Sequence, residues 1–168
     1  TAAGSLPLRE GDNVIFCDRE FASNVYPWMR LQAAKGVEAR MVPHQMGGLT
    51  VELLGRYADA RTRAVSVSSV EFADGYATDL EAIGTWCRDH GVYLVVDCAQ
   101  SLGLMPMDVK RYHIDFLAGL SSKWLLGPFS TGFLYVRKDL ASQLLPAFVG
   151  ADSVTGDVDS VEYRLDLK

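Results

Sequence analysis

Val92-Tyr-Leu-Val-Val-Asp97-Cys-Ala-Gln100 and Asp115-Phe-Leu-Ala-Gly-Leu-Ser-Ser-Lys123-Trp-Leu-Leu-Gly-Pro-Phe-Ser-Thr-Gly-Phe-Leu-Tyr-Val136 decide how this chain is read. Val92–Val96 is a nearly all-apolar run, the pattern of a strand buried on both faces. It ends in Asp97, with Gln100 three residues on. The second stretch holds two apolar strands, Asp115–Gly119 and Gly132–Val136, separated by a lone lysine, Lys123, and the breaker pair Gly127-Pro128. In parallel α/β sheets, ligands sit beyond the carboxyl ends of the strands. An acid at one strand end and a lysine just past another can therefore meet in one cleft.

The rest of the chain repeats the alternation. Asn13–Cys17 is a short apolar strand after the turn Gly11-Asp12. Ser23–Lys35 has helical spacing and stops at Gly36, a residue suited to the left-handed cap. Val37–Val42 reads as a strand, and Thr50 caps a helix reaching about Ala58, with Glu52 in its first turn. Ala64–Val70 is rich in β-branched residues, as strands are. Thr78 or Asp79 caps a helix whose apolar face includes Leu80, Ile83, Trp86 and Cys87 and which ends near His90-Gly91. Asp139–Leu145 reads as a last helix. Strands alternating with helices predict an α/β fold: a three-layer sandwich with a mainly parallel sheet.

The 168 residues suffice for one domain with a sizeable core. Lys and Arg number 16 against 21 Asp and Glu, a net charge of −5 with no basic run, which argues against a nucleic-acid partner. No apolar run has the length of a membrane span, so no membrane association is expected. Cys17, Cys87 and Cys98 form no C-x-x-C pair, which argues against structural zinc and for reduced thiols in a cytoplasmic setting. Both ends read as interior to a longer protein, and the segment 151–168 is polar, without a clear strand.

Each candidate residue has a plain and a chemical reading. Lys123 follows an apolar strand and precedes Trp124-Leu125-Leu126, so a buried position is expected. Burial penalises the ammonium form, and a neutral amine can form a Schiff base. Asp97 is either a turn aspartate, a metal ligand, or an anion that keeps a pyridine nitrogen protonated; further oxygen ligands are scarce beside it, so no metal set is read. Gln100 either solvates the turn or donates to a phenolate oxygen. Ser121 and Ser122 are turn residues or hydroxyl donors to a phosphate. Phe21 is by default a core aromatic. His44, His90 and His113 are scattered and pair with no nucleophile at a triad spacing. Gly127–Gly132 lacks the lysine of a phosphate loop.

Several motifs together resemble the class V aminotransferase family of fold-type I pyridoxal-phosphate (PLP) enzymes, which includes cysteine desulfurases and isopenicillin-N-epimerase-like proteins. V-D-C-A-Q resembles the family's V-D-G-A-Q. S-S-K-W-L-L-G-P with G-F-L-Y-V resembles its G-H-K-W-L-x-G-P with G-x-L-Y-V, and E-F-A-S-N-V-Y-P-W resembles its E-H-x-x-N segment. The resemblance implies that Lys123 forms the internal aldimine, Asp97 pairs with the pyridine nitrogen and Gln100 contacts the phenolic oxygen. It also implies that Phe21 stacks on the cofactor and that Ser122, with Ser121 beside it, lies near the phosphate. Cys98 stands where the family has Gly and Ser122 where it has His. Phe72 falls near a position where desulfurases carry Asn; with Phe21, this leans away from cysteine desulfurase and toward the epimerase-like or an unassigned branch.

The expected whole is a PLP-dependent enzyme acting on a small amino acid by transamination, lyase or desulfurase chemistry, or epimerisation. Residues 1–150 form the central part of its large domain, and 151–168 lead toward a small domain. A homodimer is expected from the resemblance. The substrate-carboxylate arginine and the phosphate-binding helix are expected outside residues 1–168. The competing reading is a non-catalytic module that keeps this fold for interaction or regulation.

Overall fold

The chain was analysed as a computed structural model that describes residues 1–44, 48–155 and 167. Six strands form one sheet: β1 (Asn13–Cys17), β2 (Glu38–Val42), β3 (Thr62–Ser68), β4 (Tyr93–Asp97), β5 (Phe116–Leu120) and β6 (Gly132–Val136). Their order is β2-β1-β3-β4-β5-β6. All neighbours pair in parallel except β5 and β6, which are antiparallel.

Period-two alternation sends side chains of one strand to two different cores. Ile15, Val65, Val67, Leu94 and Val96 pack with Leu53 and Leu54 of helix α3 (Val51–Tyr57) and Leu80, Ile83 and Cys87 of helix α4 (Leu80–His90). Their neighbours Val14, Phe16, Ala64 and Val95 face the other way. They pack with Ala3 of α1 (Ala2–Ser5), Trp28 and Leu31 of α2 (Tyr26–Lys35) and Leu140 of α5 (Lys138–Ala141). The three expected layers follow. Burying Phe16 completely contributes about 1.5–3 kcal/mol.

The helices stop where their caps direct. The Thr50 hydroxyl accepts from Leu53 N at 3.3 Å, and the Asp79 carboxylate accepts from Ala82 N at 3.0 Å. Gly36 and Gly91 close α2 and α4 at φ 66° and 64°, left-handed positions that glycine adopts without strain. The helix expected from Ser23 begins at Tyr26 instead, after a 3-10 turn at Ala22–Asn24. Pro27 lacks an N–H and fits a helix only in its first turn, which fixes that start. Of the helix expected over Asp139–Leu145, the structure keeps the short α5, which ends at Ala141; Pro146 further disfavours helical backbone at Leu145. Of the polar segment 151–168, residues 156–166 and 168 lie outside the described residues.

The order of the first three strands positions the site. From β1 the chain moves to β2 on one side and then crosses back to β3 on the other. The crossovers lay α2 on one face and α3 on the opposite face, which opens a crevice beyond the carboxyl ends of β1 and β3.

Candidate active site

The carboxyl ends of β1, β3, β4 and β5 surround one cavity of about 470 Å³, within the range usual for small-molecule pockets. Phe21 and Asn24 reach it from the segment after β1, Ser68 from the end of β3, and Asp97, Ala99 and Gln100 from the end of β4. Lys123 comes from the bend after β5, and Phe133 and Leu134 from β6. Four of the sequence candidates, Phe21, Asp97, Gln100 and Lys123, thus line this one cavity. Phe21 meets Phe72 edge to face, with ring centroids 5.2 Å apart and planes at 81°. The pair gives the cavity an apolar side.

Asp97 ends a strand held on both sides, in register with Ser68 of β3 and Ala118 of β5. Its Oδ1 accepts from Ala99 N at 2.8 Å, and its carbonyl accepts from Ser69 N at 2.8 Å. The turn-aspartate reading and the site reading therefore describe the same residue. One oxygen fixes the turn while the carboxylate lines the cavity. Burial raises the Asp97 carboxyl above its usual range; the Ala99 N–H and the Lys123 charge pull it down.

Lys123 departs from expectation. It is exposed, not buried, because among the described residues β6 is an edge strand and nothing closes over the bend between β5 and β6. Its loop is nevertheless tied. Gly127 N donates to Ser121 O at 2.8 Å, and Leu126 N donates to Lys123 O at 3.1 Å. The Ser121 hydroxyl is bonded to Thr131 Oγ1 and reaches the Pro128 carbonyl at 3.2 Å and the Thr131 carbonyl at 3.1 Å. Ser121 and Ser122 lie outside the cavity wall. The Ser121 hydroxyl holds the loop that carries Lys123.

A buried acidic floor escaped the sequence analysis. Glu20 accepts from Ser68 N, from Ser68 Oγ at 2.6 Å and from Asn24 Nδ2 at 2.8 Å. Asn24 Oδ1 in turn accepts from Ser66 Oγ at 2.6 Å. Glu71 is buried beside Glu20. Burial first, and the Glu20 carboxylate second, push Glu71 up to about 8, and burial also raises Glu20. The floor's signals in sequence were Ser66 and Ser68 among the apolar residues of β3, and Glu20 and Asn24 in the E-F-A-S-N segment. Glu71 left none, because it meets Glu20 only through the fold.

Comparison with known proteins places this geometry. The family profile described as Aminotransferase class-V covers residues 1–164. The chain belongs to this family. A probable cysteine desulfurase of Methanothermobacter thermautotrophicus is 39% identical over 167 residues, which is 98% of this chain and 41% of that protein. A cysteine desulfurase of Salmonella newport is 33% identical over 156 residues, 92% of this chain and 38% of that protein. The chain thus spans about two fifths of the length of these curated relatives. Among solved structures, the cysteine desulfurase CsdA from Escherichia coli superposes with a TM-score of 0.83 at 27% identity, covering 90% of this chain and 38% of that one. A C-DES variant with glycine covalently linked to the PLP cofactor also gives 0.83, at 28% identity over 91% of this chain and 42% of that one.

Class V aminotransferases use pyridoxal phosphate, and the residues here fit such a group. A half-buried carboxylate, an aromatic ring, an amide and an amine all open into one cavity, and burial raises the carboxylate above its usual range even with the Lys123 charge nearby. A protonated ring nitrogen beside it would favour the ionised form.

Proposed function

We propose that this chain is the cofactor-binding part of a PLP-dependent enzyme acting on a small amino acid. One observation carries the reading: Asp97, Gln100, Phe21 and Lys123, distant in sequence, line a single cavity at the carboxyl ends of a parallel sheet. When bound, pyridoxal phosphate supplies an aldehyde for amines and a ring that accepts electrons from the substrate's Cα.

The chain's own residues then have distinct tasks. Asp97 holds a proton on the ring nitrogen by keeping its carboxylate ionised beside it, which offsets the cost of its burial. Gln100 donates to the phenolic oxygen. Phe21, braced by Phe72, covers the ring face and excludes water. The amine of Lys123 would hold the cofactor's aldehyde and would move the proton at the substrate's Cα. Asn24, Ser68 and Glu20 hold the floor beneath. On the resemblance, Ser122 neighbours the phosphate, while Ser121 serves the loop.

The relatives' names make cysteine and related sulfur amino acids the first substrates to assay, although Phe21 and Phe72 at the cavity also suit the epimerase-like branch. A homodimer in the cytoplasm belongs to the same proposal. None of the described helices is long and apolar enough to cross a membrane. Analytical ultracentrifugation checks the dimer.

The test is borohydride reduction of full-length protein loaded with PLP, followed by peptide mass analysis. The expected result is a reduced adduct on Lys123, absent from Lys123→Ala. A protein that takes up no reducible cofactor, or an adduct on another lysine, overturns the reading in favour of a non-catalytic module.

A further inference from the structure

At the carboxyl ends of β1 and β2, outside the cavity wall, three donor groups converge. Strand pairing brings them together: Cys17 lies in register with Val42, and Asp18 N donates to Val42 O at 3.0 Å, so His44 falls opposite Asp18. Cys17 Sγ lies 3.8 Å from His44 Nδ1 and 3.8 Å from Asp18 Oδ1. Ligand atoms of all three lie within 4.8 Å of one another. Tetrahedral zinc, with bonds of about 2.3 Å to sulfur and about 2.0 Å to nitrogen, sets such atoms about 3.5 Å apart.

The opposite side of the imidazole supplies a second, independent observation. His44 Nε2 lies 3.0 Å from Asp74 Oδ2. With its proton on Nε2 and donated to Asp74, the ring leaves the Nδ1 lone pair free toward Cys17 and Asp18. A carboxylate on the far nitrogen is the arrangement that orients ligating histidines in metal sites. Asp18 is also placed by the backbone, its Oδ1 accepting from His44 N at 2.8 Å. Asp18 is exposed, which leaves a path for an ion and room for water at a fourth position.

We infer that Cys17, Asp18 and His44, oriented by Asp74, form a binding site for a divalent cation of the zinc class. One thiolate, one imidazole and one carboxylate suit that class, whereas magnesium and calcium require oxygen ligands. Binding replaces the thiol proton: the Cys17 S–H bond breaks, the proton leaves to solvent, and a sulfur–metal bond forms without any redox change. The inference stands apart from the cofactor proposal, since it uses none of the same residues. Cysteine spacing along the chain does not announce this cluster, because Asp18 follows Cys17 directly and His44 comes from the segment after β2.

Cobalt titration tests it, using full-length protein freed of metal by chelator and read as a difference spectrum. The expected result is uptake of one equivalent, with the d–d bands of tetrahedral cobalt and a thiolate-to-cobalt charge-transfer band, displaced by one equivalent of Zn²⁺. Cys17→Ser loses the charge-transfer band. Asp74→Asn, on an exposed turn and therefore safe for folding, keeps the band but weakens affinity about 10- to 100-fold. No saturable one-equivalent uptake overturns the site, as does an unchanged band in Cys17→Ser or unchanged affinity in Asp74→Asn.

Discussion

The two halves of the cavity are built differently. The Asp97 half rests on β1, β3 and β4, whose central residues are buried and which are paired on both sides. The Lys123 half rests on β5 and β6, where β6 has no buried residue and the following loop exposes Leu126 and Phe129 at 89% and 88%. The acid is held by the core itself. The lysine is carried on an edge arm, tied mainly by hydrogen bonds around Ser121. Stability and chemistry are therefore separable in part: substitutions in the packing beneath the first half should alter folding, and those at Lys123 should alter function.

The largest effect tests that separation from the arm side. Lys123→Ala should lower turnover by about 10²- to 10⁴-fold or more while leaving the melting temperature nearly unchanged, since the residue is exposed. Steady-state kinetics and calorimetry on the same preparation check both. A large loss of stability would break the comparison.

Gly84→Ala tests it from the scaffold side. A Cβ at Gly84 would stand 1.9 Å from the Tyr112 carbonyl oxygen, where α4 packs on backbone that cannot yield cheaply. A loss of about 2–3 kcal/mol or more is expected in denaturant unfolding.

The acidic floor gives a pH signature. A carboxyl group whose folded pKa lies above its unfolded value binds its proton more tightly in the folded state. Its stabilisation is complete at low pH and is lost as pH rises from about 4.5 toward about 8. Wild-type stability should fall across that window by on the order of 1–3 kcal/mol from Glu71, and Glu71→Gln should flatten the slope. An unchanged slope in the variant would mean that Glu71 is not the group that titrates.

The smallest effect returns to the arm. Leu126→Ser should change stability by no more than about 0.5 kcal/mol, because the side chain is already in water. A larger loss in the full-length protein would show that this face is covered there by another part of the molecule or by a second copy.

Much of the fold was legible along the chain. Helix ends at Gly36 and Gly91 and the caps Thr50 and Asp79 were readable because capping is local. Strand ends shifted by a residue or two, and Pro27 moved the start of α2. Of the site, Phe21, Asp97, Gln100 and Lys123 were found through motifs, and they share the cavity. The burial expected for Lys123 was not met, because apolar neighbours in sequence do not decide which strand becomes the edge. Glu71 and the Cys17–His44 pair were missed because no spacing along the chain announces them.

The sequence by itself determined the alternation of strand and helix and the residue types at the strand ends. These follow from side-chain period and backbone preference within a few residues. The tertiary structure alone decided which strand ends lie side by side. Strand order and register join residues far apart in the chain, setting Glu20 against Glu71, Cys17 against His44 and Asp97 in one cavity with Lys123.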